Sequence, residues 1–230
     1  MPSDPLILAV ETATLAGSIT LARGDEIIGG LNGDPGTSHS NTLLADVDKL
    51  LSQTNTNLAQ IDLFAVAAGP GSFTGLRIGI ATIKALAATL DRRCAAIPTL
   101  HAVAVSGGPS EVSVALLPAG RGEVFAQSFS VIGDAVTALD EAAHIAPAKM
   151  IEKYGSLDEA LWCGEGAIAQ RELIQTAAES KKWRIASQVE NLARYVSKLA
   201  WQSFRQDRLV APDALQAIYV RPSDAELKVS

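Results

Sequence analysis

Residues 63–90 decide the fold class, and they read LFAVAAGPGSFTGLRIGIATIKALAATL. They begin with an apolar run at 63–68 that has the length and composition of a buried strand. A glycine-rich turn follows, and residues 74–90 then show the periodicity of a helix. A buried strand that passes through glycines into an apolar helix predicts an α/β fold.

The glycine-rich turn, GPGSFTGLRIG at residues 69–79, lies where backbone N–H groups and a helix dipole can hold an anion. It lacks the Gly-Lys-Ser/Thr ending of a P-loop, and Thr74 stands where a dinucleotide-binding fingerprint needs its third glycine. Pro70 and Thr74 also occupy the glycine positions of a nucleophile elbow around Ser72. The alternative to an anion site is a packing turn, in which glycines let a strand and a helix approach closely.

The order of predicted elements repeats in the two halves of the chain. The first half reads strand, strand, strand, helix, strand, glycine turn and helix, at residues 6–11, 17–23, 26–31, 43–51, 63–68, 69–79 and 74–90. The second half reads the same at residues 111–117, 123–131, 135–139, 147–154, 161–163, 164–166 and 167 onward. Gly24-Asp25 and Gly133-Asp134 make equivalent turns, and residues 95–98 predict one further strand.

This repeat predicts an α/β, two-lobed fold of duplicated βββαβα units, as in the actin, hexokinase and Hsp70 class (the ASKHA fold). The stretch SGGPS at residues 106–110 is the best linker. We expect an N-terminal, partner-binding lobe at residues 1–107, a C-terminal lobe at 108–211 that ends in a helix at 191–206, and a polar tail at 212–230. In this class the first hairpin of each half cradles nucleotide phosphates, although topology alone does not establish function.

Composition excludes several classes of protein. With 48% apolar and 19% charged residues among 230, the chain is neither disordered nor a coiled coil. A net charge of −6 has the wrong sign for a protein that binds nucleic acid by itself. An RNA substrate would therefore need cations from another chain. Cys94 and Cys163 are too few for a disulfide framework. No leader-like segment or long apolar stretch is present, so we expect a cytoplasmic protein without a membrane span.

Three motifs together resemble the TsaB (YeaZ) family: ILAVETAT at residues 7–14, GPGSFTGLRIG at 69–79 and GRGEVFA at 120–126. The stretch YVRPS at residues 219–223 is similar to the family's ending. The resemblance implies the two-lobed fold and a non-catalytic role in tRNA threonylcarbamoyladenosine synthesis, at the adenosine next to the anticodon of tRNAs reading A-starting codons. It also implies a TsaD-like catalytic subunit and a TsaE-like ATPase as partners, with tRNA reached only through that complex.

The residues that would hold a nucleotide are incomplete. Kinases and ATPases of this fold place a carboxylate and a Gly-Thr pair in the first hairpin, whereas residues 11–14 read ETAT, with an acid but no glycine. Residues 118–122, PAGRG, lack the aspartate that many family members carry here. One glutamate makes a poor Mg²⁺·ATP site, so we expect no cofactor and no catalytic residue. The residual phosphate-loop-like positions are Glu11, Thr12, Gly69, Gly71, Ser72, Thr74 and Gly75. For Glu11 the alternative is a carboxylate that caps its own turn.

No metal site is predicted. The catalytic relative holds its metal with two histidines four residues apart on a helix, whereas His39 is followed at that spacing by Leu43. We interpret His101 and His144 as structural or surface residues, and no histidine is near Cys163 in sequence to activate its thiol.

The helix at 74–90 carries only two charges, Arg77 and Lys84, and is apolar nearly all round. Such a helix is buried on more than one side, either wholly within its own chain or beneath the 43–51 helix and a partner. In the family these two helices pair with the catalytic subunit, and we expect a homodimer through the same surface when that subunit is absent. The predicted partner-binding residues are Leu43, Val47, Arg77, Ala81, Lys84, Ala85 and Ala88.

Trp201 lies nine residues from Leu192 on the last predicted helix and so faces the opposite side. The Trp201 side chain either contacts a partner protein or packs beneath the C-terminal tail.

Three functions compete. The leading one is a scaffold and activator of the tRNA-modifying transferase. An independent small ATP-dependent kinase or ATPase is disfavoured by the missing second carboxylate and the missing glycine of the phosphate loop. A peptidase is disfavoured by the missing metal pair and the absence of an activated serine or cysteine. The sequence leaves open the oligomeric state, the role of the 212–230 tail and whether a nucleotide pocket survives.

Overall fold

The computed structural model describes residues 4–36 and 39–220, and in the first helix it describes side chains from Thr42 onward. The chain divides into two compact units. Unit 1 contains the described residues up to Ala102 together with Glu190–Ile218, and unit 2 contains Val103–Val189. Within the described residues, none of the helices is both long enough and apolar enough to cross a membrane.

Unit 1 is built on a five-stranded mixed sheet. Its strands are β1 (Leu6–Glu11), β2 (Ser18–Arg23), β3 (Glu26–Asn32), β4 (Leu63–Gly69) and β5 (Arg93–Pro98). Its helices are α1 (His39–Gln53), α2 (Phe73–Thr89) and α7 (Ala193–Arg205), and α3 (Thr99–Ser106) runs on into unit 2. The sheet order is β3-β2-β1-β4-β5, with β1 antiparallel to β2 and parallel to β4. Every residue of β1 and β4 is buried, as expected for central strands covered on both faces.

Alternate residues of the central strands point to opposite faces of this sheet. Leu8 and Val10 of β1 join one core with Val47 of α1 and Ile80 of α2. Helix α7 also packs on this sheet, where it contacts β1, β2, β4 and β5.

Unit 2 is built on a second mixed sheet. Its strands are β6 (Ser110–Gly120), β7 (Glu123–Ile132), β8 (Ala135–Ala138), β9 (Ala143–Ile145), β10 (Glu159–Cys163) and β11 (Lys182–Ile185). Its helices are α4 (Pro147–Tyr154), α5 (Glu165–Ala169) and α6 (Arg171–Ala178). The order is β11-β10-β6-β7-β8, and β9 also pairs with β7. The core gathers around Trp162, which meets Tyr154 edge-on at 5.9 Å between ring centroids.

The α/β fold of duplicated units is confirmed. In each unit the first strand pairs antiparallel with the second and parallel with the strand that follows the first long connection. The two equivalent turns lie as predicted, with Gly24 at φ +60° and Gly133 at φ +58°, where glycine has no steric penalty.

The predicted lobe boundaries differ from the structure. The first stretch of unit 1 ends at Ala102, within α3, rather than at residue 107. The sequence assigned the last helix to the C-terminal lobe at residues 108–211, but Glu190–Ile218 belongs to unit 1. The Asn191 side chain anchors this return: its Oδ1 accepts a hydrogen bond from Thr20 Oγ1 (2.9 Å) and its Nδ2 donates to the Leu31 carbonyl (3.2 Å). Ser18 Oγ accepts from the Ala193 N–H at 3.0 Å, where the helix begins.

Other differences are local. Strand β6 continues through the predicted 118–122 turn as far as Gly120, so the turn itself is Arg121-Gly122. Strands β9 and β11 were not predicted. Part of the predicted tail packs on unit 1, because Leu215 is buried and the Ile218 N–H donates to the Ala68 carbonyl at 2.7 Å. Residues 221–230 of the predicted tail lie outside the described part of the chain.

The glycines of the strand–helix turn bring α2 against the β1–β2 hairpin. Thr12 Oγ1 donates to the Gly75 carbonyl at 2.7 Å. A Cβ on Gly75 would lie 1.9 Å from the Thr12 carbonyl oxygen, and one on Gly79 would lie 2.3 Å from Thr12 Oγ1. Only residues without a side chain fit there, which favours the packing interpretation of this motif.

A double-mutant cycle tests this contact. We expect Gly79→Ala to lower the free energy of unfolding by about 1–3 kcal/mol, because the new methyl group collides with Thr12 Oγ1. In a Thr12→Ala background the clash is removed, since the next atoms, Thr12 Cβ and Val66 Cγ2, lie at an ordinary 3.5 Å. The double variant should therefore be more stable than the sum of the single variants by about 1 kcal/mol or more, measured by urea denaturation. In the control cycle Thr74→Ala, at an exposed position near the start of the same helix, replaces Thr12→Ala. Simple additivity of Gly79→Ala and Thr12→Ala would contradict the contact.

Candidate functional site

Glu11 lies at the end of β1 and is 1% exposed. Its carboxylate accepts hydrogen bonds from Thr14 N (2.7 Å) and Thr14 Oγ1 (2.8 Å), and a longer one from Ser18 Oγ (3.5 Å). The carboxylate therefore caps the turn between β1 and β2, which was the alternative interpretation of this residue.

The other phosphate-loop-like residues are close to Glu11, and their polar groups bond to one another. Ser72 is the N-cap of α2, with its Oγ accepting from Gly75 N at 3.2 Å, and its own N–H donates to the Ala13 carbonyl at 2.8 Å. The Gly69 N–H donates to Thr99 Oγ1 at 3.1 Å. A Cβ on Gly71 would lie 2.6 Å from that of Ala13, whereas Thr74 is exposed. These residues hold strand, hairpin and helix together, and the packing accounts for all three glycines.

A small cavity lies beside this cluster. It has a volume of about 20 Å³ and is lined by Glu11, Thr12, Ser18, Asn32 and Asp46, among others. That volume accommodates about one water molecule.

The corresponding hairpin of unit 2 is a tight turn. Gly120, Arg121 and Gly122 have φ of +82°, +51° and +80°, so the backbone conformation explains the glycines. The next residue, Glu123, places a carboxylate oxygen 2.7 Å from His144 Nε2. Residues 118–122 thus lack a carboxylate, as the sequence shows, and the adjacent one is paired.

Metal-binding and nucleophilic chemistry find little support in the described residues. They contain no group of three or more His, Cys, Asp or Glu side chains that could hold a metal ion. The side chain of His39 lies outside the described part. Burial, and secondarily Arg208, lowers the pKa of His101. Burial raises the thiol pKa of Cys163 to about 12 and that of Cys94 to about 11, so both are protonated and unreactive at neutral pH.

The outward side of α2 is the clearest surface feature of unit 1. Leu76, Ile80, Ile83 and Ala87 are buried, while Ala81, Ala85 and Ala88 are exposed. A helix buried entirely within its own chain, one of the two alternatives, therefore does not describe α2.

The two charged residues of α2 border this surface. The Arg77 guanidinium lies 3.9 Å from the centroid of the Phe73 ring, and that ring is 54% exposed. Lys84 Nζ donates to the Asp213 carbonyl at 2.9 Å, so this ammonium group contacts the chain's own C-terminal segment.

Two predicted partner-binding residues need correction. Leu43 and Val47 are buried in the core of unit 1, whereas Leu44 is 62% exposed. The helical periodicity explains the difference, because Leu43, Val47 and Leu50 all face the sheet and Leu44 is rotated from them by about 100°. Sequence reasoning missed Leu44 and Phe73, although the same periodicity places Leu44 outside the set of α1 residues that face the sheet.

Helices α1 and α2 contact each other, and their exposed residues make one candidate surface. We call it the α1–α2 face and define it by Leu44, Phe73, Arg77, Ala81, Ala85 and Ala88. It combines two large apolar side chains with three alanines. Small side chains let a second helix approach closely, and exposed apolar groups of this kind mark protein contacts.

The role of Glu11 is testable by stability. Glu11→Ala should lower the free energy of unfolding by about 1–3 kcal/mol, because it leaves the Thr14 N–H and hydroxyl without their acceptor. Glu11→Gln keeps one oxygen acceptor and should lower the free energy of unfolding by less. Glu26→Ala, at an exposed position of β3, should lower it by under about 0.5 kcal/mol. Urea denaturation measures all three. If the Glu11→Ala variant is as stable as the parent, Glu11 does not stabilise its turn, and its carboxylate is instead held in place for a ligand.

Comparison with known proteins bears on the motifs. The family model described as TsaD, tRNA N6-adenosine threonylcarbamoyltransferase, matches residues 35–210. The tRNA threonylcarbamoyladenosine biosynthesis protein TsaB of Bacillus subtilis (strain 168) is 32% identical over 120 residues, or 52% of each chain. The protein of the same name from Escherichia coli (strain K12) is 33% identical over 123 residues, again 52% of each. The chain thus spans about half the length of the curated relatives it matches.

A solved structure, YeaZ from Pseudomonas aeruginosa, aligns with a TM-score of 0.77 over 94% of this chain and 100% of that one, at 22% identity. This likeness shows the shared fold. The resemblance to TsaB (YeaZ), drawn from three short motifs, is confirmed. Because the family model extends over well more than half of its residues, this chain belongs to the TsaD (tRNA N6-adenosine threonylcarbamoyltransferase) family.

Proposed function

We propose that this chain is a non-catalytic scaffold and activator of a TsaD-like threonylcarbamoyl transferase. The complex would modify the adenosine next to the anticodon in tRNAs that read A-starting codons. The names of the TsaB relatives, which place those proteins in tRNA threonylcarbamoyladenosine biosynthesis, support this proposal.

The observation that carries the proposal is the two-sided character of α2. One side is buried in the core of unit 1, and the other exposes Ala81, Ala85 and Ala88 beside Phe73. Apolar residues exposed along a helix gain free energy when a partner covers them, at about 25 cal/mol for each Å² buried. The α1–α2 face is therefore the proposed site for the TsaD-like subunit, and for a second copy of this chain when that subunit is absent.

The chemistry of the hairpins supports a non-catalytic role. Glu11 is engaged in capping its own turn, and Ser72 is engaged in capping α2. A magnesium–nucleotide site needs carboxylate oxygens that can face the metal and its waters, and backbone N–H groups that can face phosphates. At this hairpin those groups bond within the protein.

The remaining partners follow from the family and from the charge of the chain. A TsaE-like ATPase would supply nucleotide hydrolysis to the complex. With a net charge of −6, the chain would reach tRNA through the complex, in which other subunits contribute most of the cations.

Ala81→Glu tests the proposed surface. An unpaired carboxylate forced into an apolar interface costs several kcal/mol, enough to abolish a micromolar complex. We expect the variant to fold normally by circular dichroism and to lose co-elution with the TsaD-like subunit in size exclusion. Ala148→Glu, the same change on exposed α4 of unit 2, is the control and should co-elute as the parent does. A folded Ala81→Glu that still co-elutes would place the interface elsewhere.

Adjacent leucines of α1 provide a second, matched test. Leu44→Ala should weaken co-elution while leaving the melting temperature almost unchanged, because Leu44 is exposed. Leu43→Ala should lower the free energy of unfolding by about 2–5 kcal/mol, because Leu43 is buried in the core. If both variants destabilise the fold and neither weakens co-elution with the TsaD-like subunit, α1 does not belong to the proposed interface.

The competing function, an independent ATP-dependent enzyme of the same fold, is separated by calorimetric titration with Mg·ATP. We expect binding of the isolated chain to be weaker than micromolar, without hydrolysis, because the hairpin groups are engaged within the protein. Tight binding with turnover, lost in Glu11→Gln but kept in Glu26→Gln, would overturn the non-catalytic assignment.

A further inference from the structure

One side of α7 carries a line of cationic and aromatic side chains. Arg194, Lys198, Trp201 and Arg205 follow one another at intervals of four, three and four residues, which places them along a single helical face. We call this face the α7 stripe. Arg194 and Arg205 are exposed, whereas Lys198 and Trp201 are half-buried. The opposite side of α7, which includes Val196, is buried.

The aromatic part of the stripe is a stacked arrangement. The Trp201 and Phe204 rings have centroids 5.7 Å apart and planes inclined by 22°. The Arg205 guanidinium lies 5.6 Å from the Trp201 ring. A partly exposed indole supported by a second ring and flanked by a guanidinium is an arrangement on which a flat π-system can stack.

The segment that contains the stripe has a net charge opposite in sign to that of the whole chain. Between residues 190 and 210 there are four cations, Arg194, Lys198, Arg205 and Arg208, and two acids, Glu190 and Asp207. Asp207 is paired with Arg93 of β5 at 2.9 Å, and this further cation offsets one of the two acids. A local excess of positive charge on a chain of net charge −6 marks a surface suited to a polyanion.

We propose that the α7 stripe is a contact for RNA, with the cations facing the phosphate backbone and Trp201 stacking on an unpaired base. This inference rests on the proposed function, in which the chain belongs to a tRNA-modifying complex. The stripe is about 16 Å long from Arg194 to Arg205, at 1.5 Å per helical residue. Contacts of this kind position a nucleic acid without reading its sequence.

Charge and burial favour RNA over the two other polyanionic partners. An acidic protein would bind through the cations alone and would leave the half-buried Trp201–Phe204 ring pair without a role. A membrane surface is bound by a helix that inserts an apolar face, and the apolar face of α7 is buried against the sheet of unit 1.

The test is fluorescence anisotropy of the isolated full chain with labelled oligouridylate and with a fully duplex RNA, over a range of salt concentrations. Arg194→Glu/Arg205→Glu should weaken oligouridylate binding at low salt by about tenfold or more, and should reduce the slope of log K against log salt by about 0.7 for each lost phosphate contact. Lys149→Glu/Lys182→Glu makes the same charge change on exposed cations of unit 2 and should change the affinity less than about twofold.

The stacking contact has its own variants. Trp201→Ala should weaken oligouridylate binding by about tenfold and leave duplex binding unchanged, whereas Trp201→Phe should retain most of the affinity. Circular dichroism of each variant establishes that α7 remains folded.

Three results would overturn the proposal. The first is no binding of either RNA by the parent chain at low salt. The second is an equal loss of RNA affinity in the Arg194→Glu/Arg205→Glu variant and the Lys149→Glu/Lys182→Glu variant. The third is unchanged binding by Trp201→Ala together with competition by polyglutamate as effective as that by oligouridylate, which would assign the stripe to an acidic protein. These measurements use the isolated chain without the transferase subunit, so their outcome is independent of whether the α1–α2 face pairs as proposed.

Discussion

The fold of unit 1 depends on one close approach, that of α2 to the hairpin between β1 and β2. Gly75 lies against the Thr12 carbonyl, and Gly79 lies against the Thr12 hydroxyl, at distances that leave no room for a Cβ atom. The hydrogen bond from Thr12 Oγ1 to the Gly75 carbonyl fixes the register of the contact. Because β1 is central in the sheet and α2 packs on its neighbour β4, this contact sets where the helix lies and which of its sides faces outward.

The same contact decides what the hairpin can do chemically. In a nucleotide-binding protein of this fold the equivalent groups would face phosphates and a metal ion. In this chain the Glu11 carboxylate faces Thr14, and Ser72 caps α2. These bonds stabilise the hairpin, and they occupy the polar atoms that a ligand would need. A motif that looks like a phosphate loop in sequence is therefore a packing device in the folded chain, and the surface becomes the natural place for function.

Two helices of unit 1 then divide the surface by chemical character. The outer side of α2 is small and apolar, with Ala81 and Ala85 exposed, and suits a protein that covers it. The outer side of α7 is cationic and aromatic, with Trp201 between arginines, and suits a polyanion. Both surfaces exist because unit 1 presents a sheet that two layers of helices can cover. The return of the chain after unit 2, anchored by Asn191 on β2 and β3, supplies the second of them.

The sequence by itself determined the elements of the fold and their order, because hydrophobic periodicity and glycine turns are local properties. It placed α4 at 147–154 correctly, and three motifs carried the family resemblance. It did not separate Leu43 from Leu44 as core and surface, although the period allowed it. Tertiary structure alone decided that α7 belongs to unit 1 and that Glu11 is engaged by its own turn. Both depend on contacts between residues distant in sequence or on the direction of a side chain, and neither is recorded in a local pattern of apolar and polar residues.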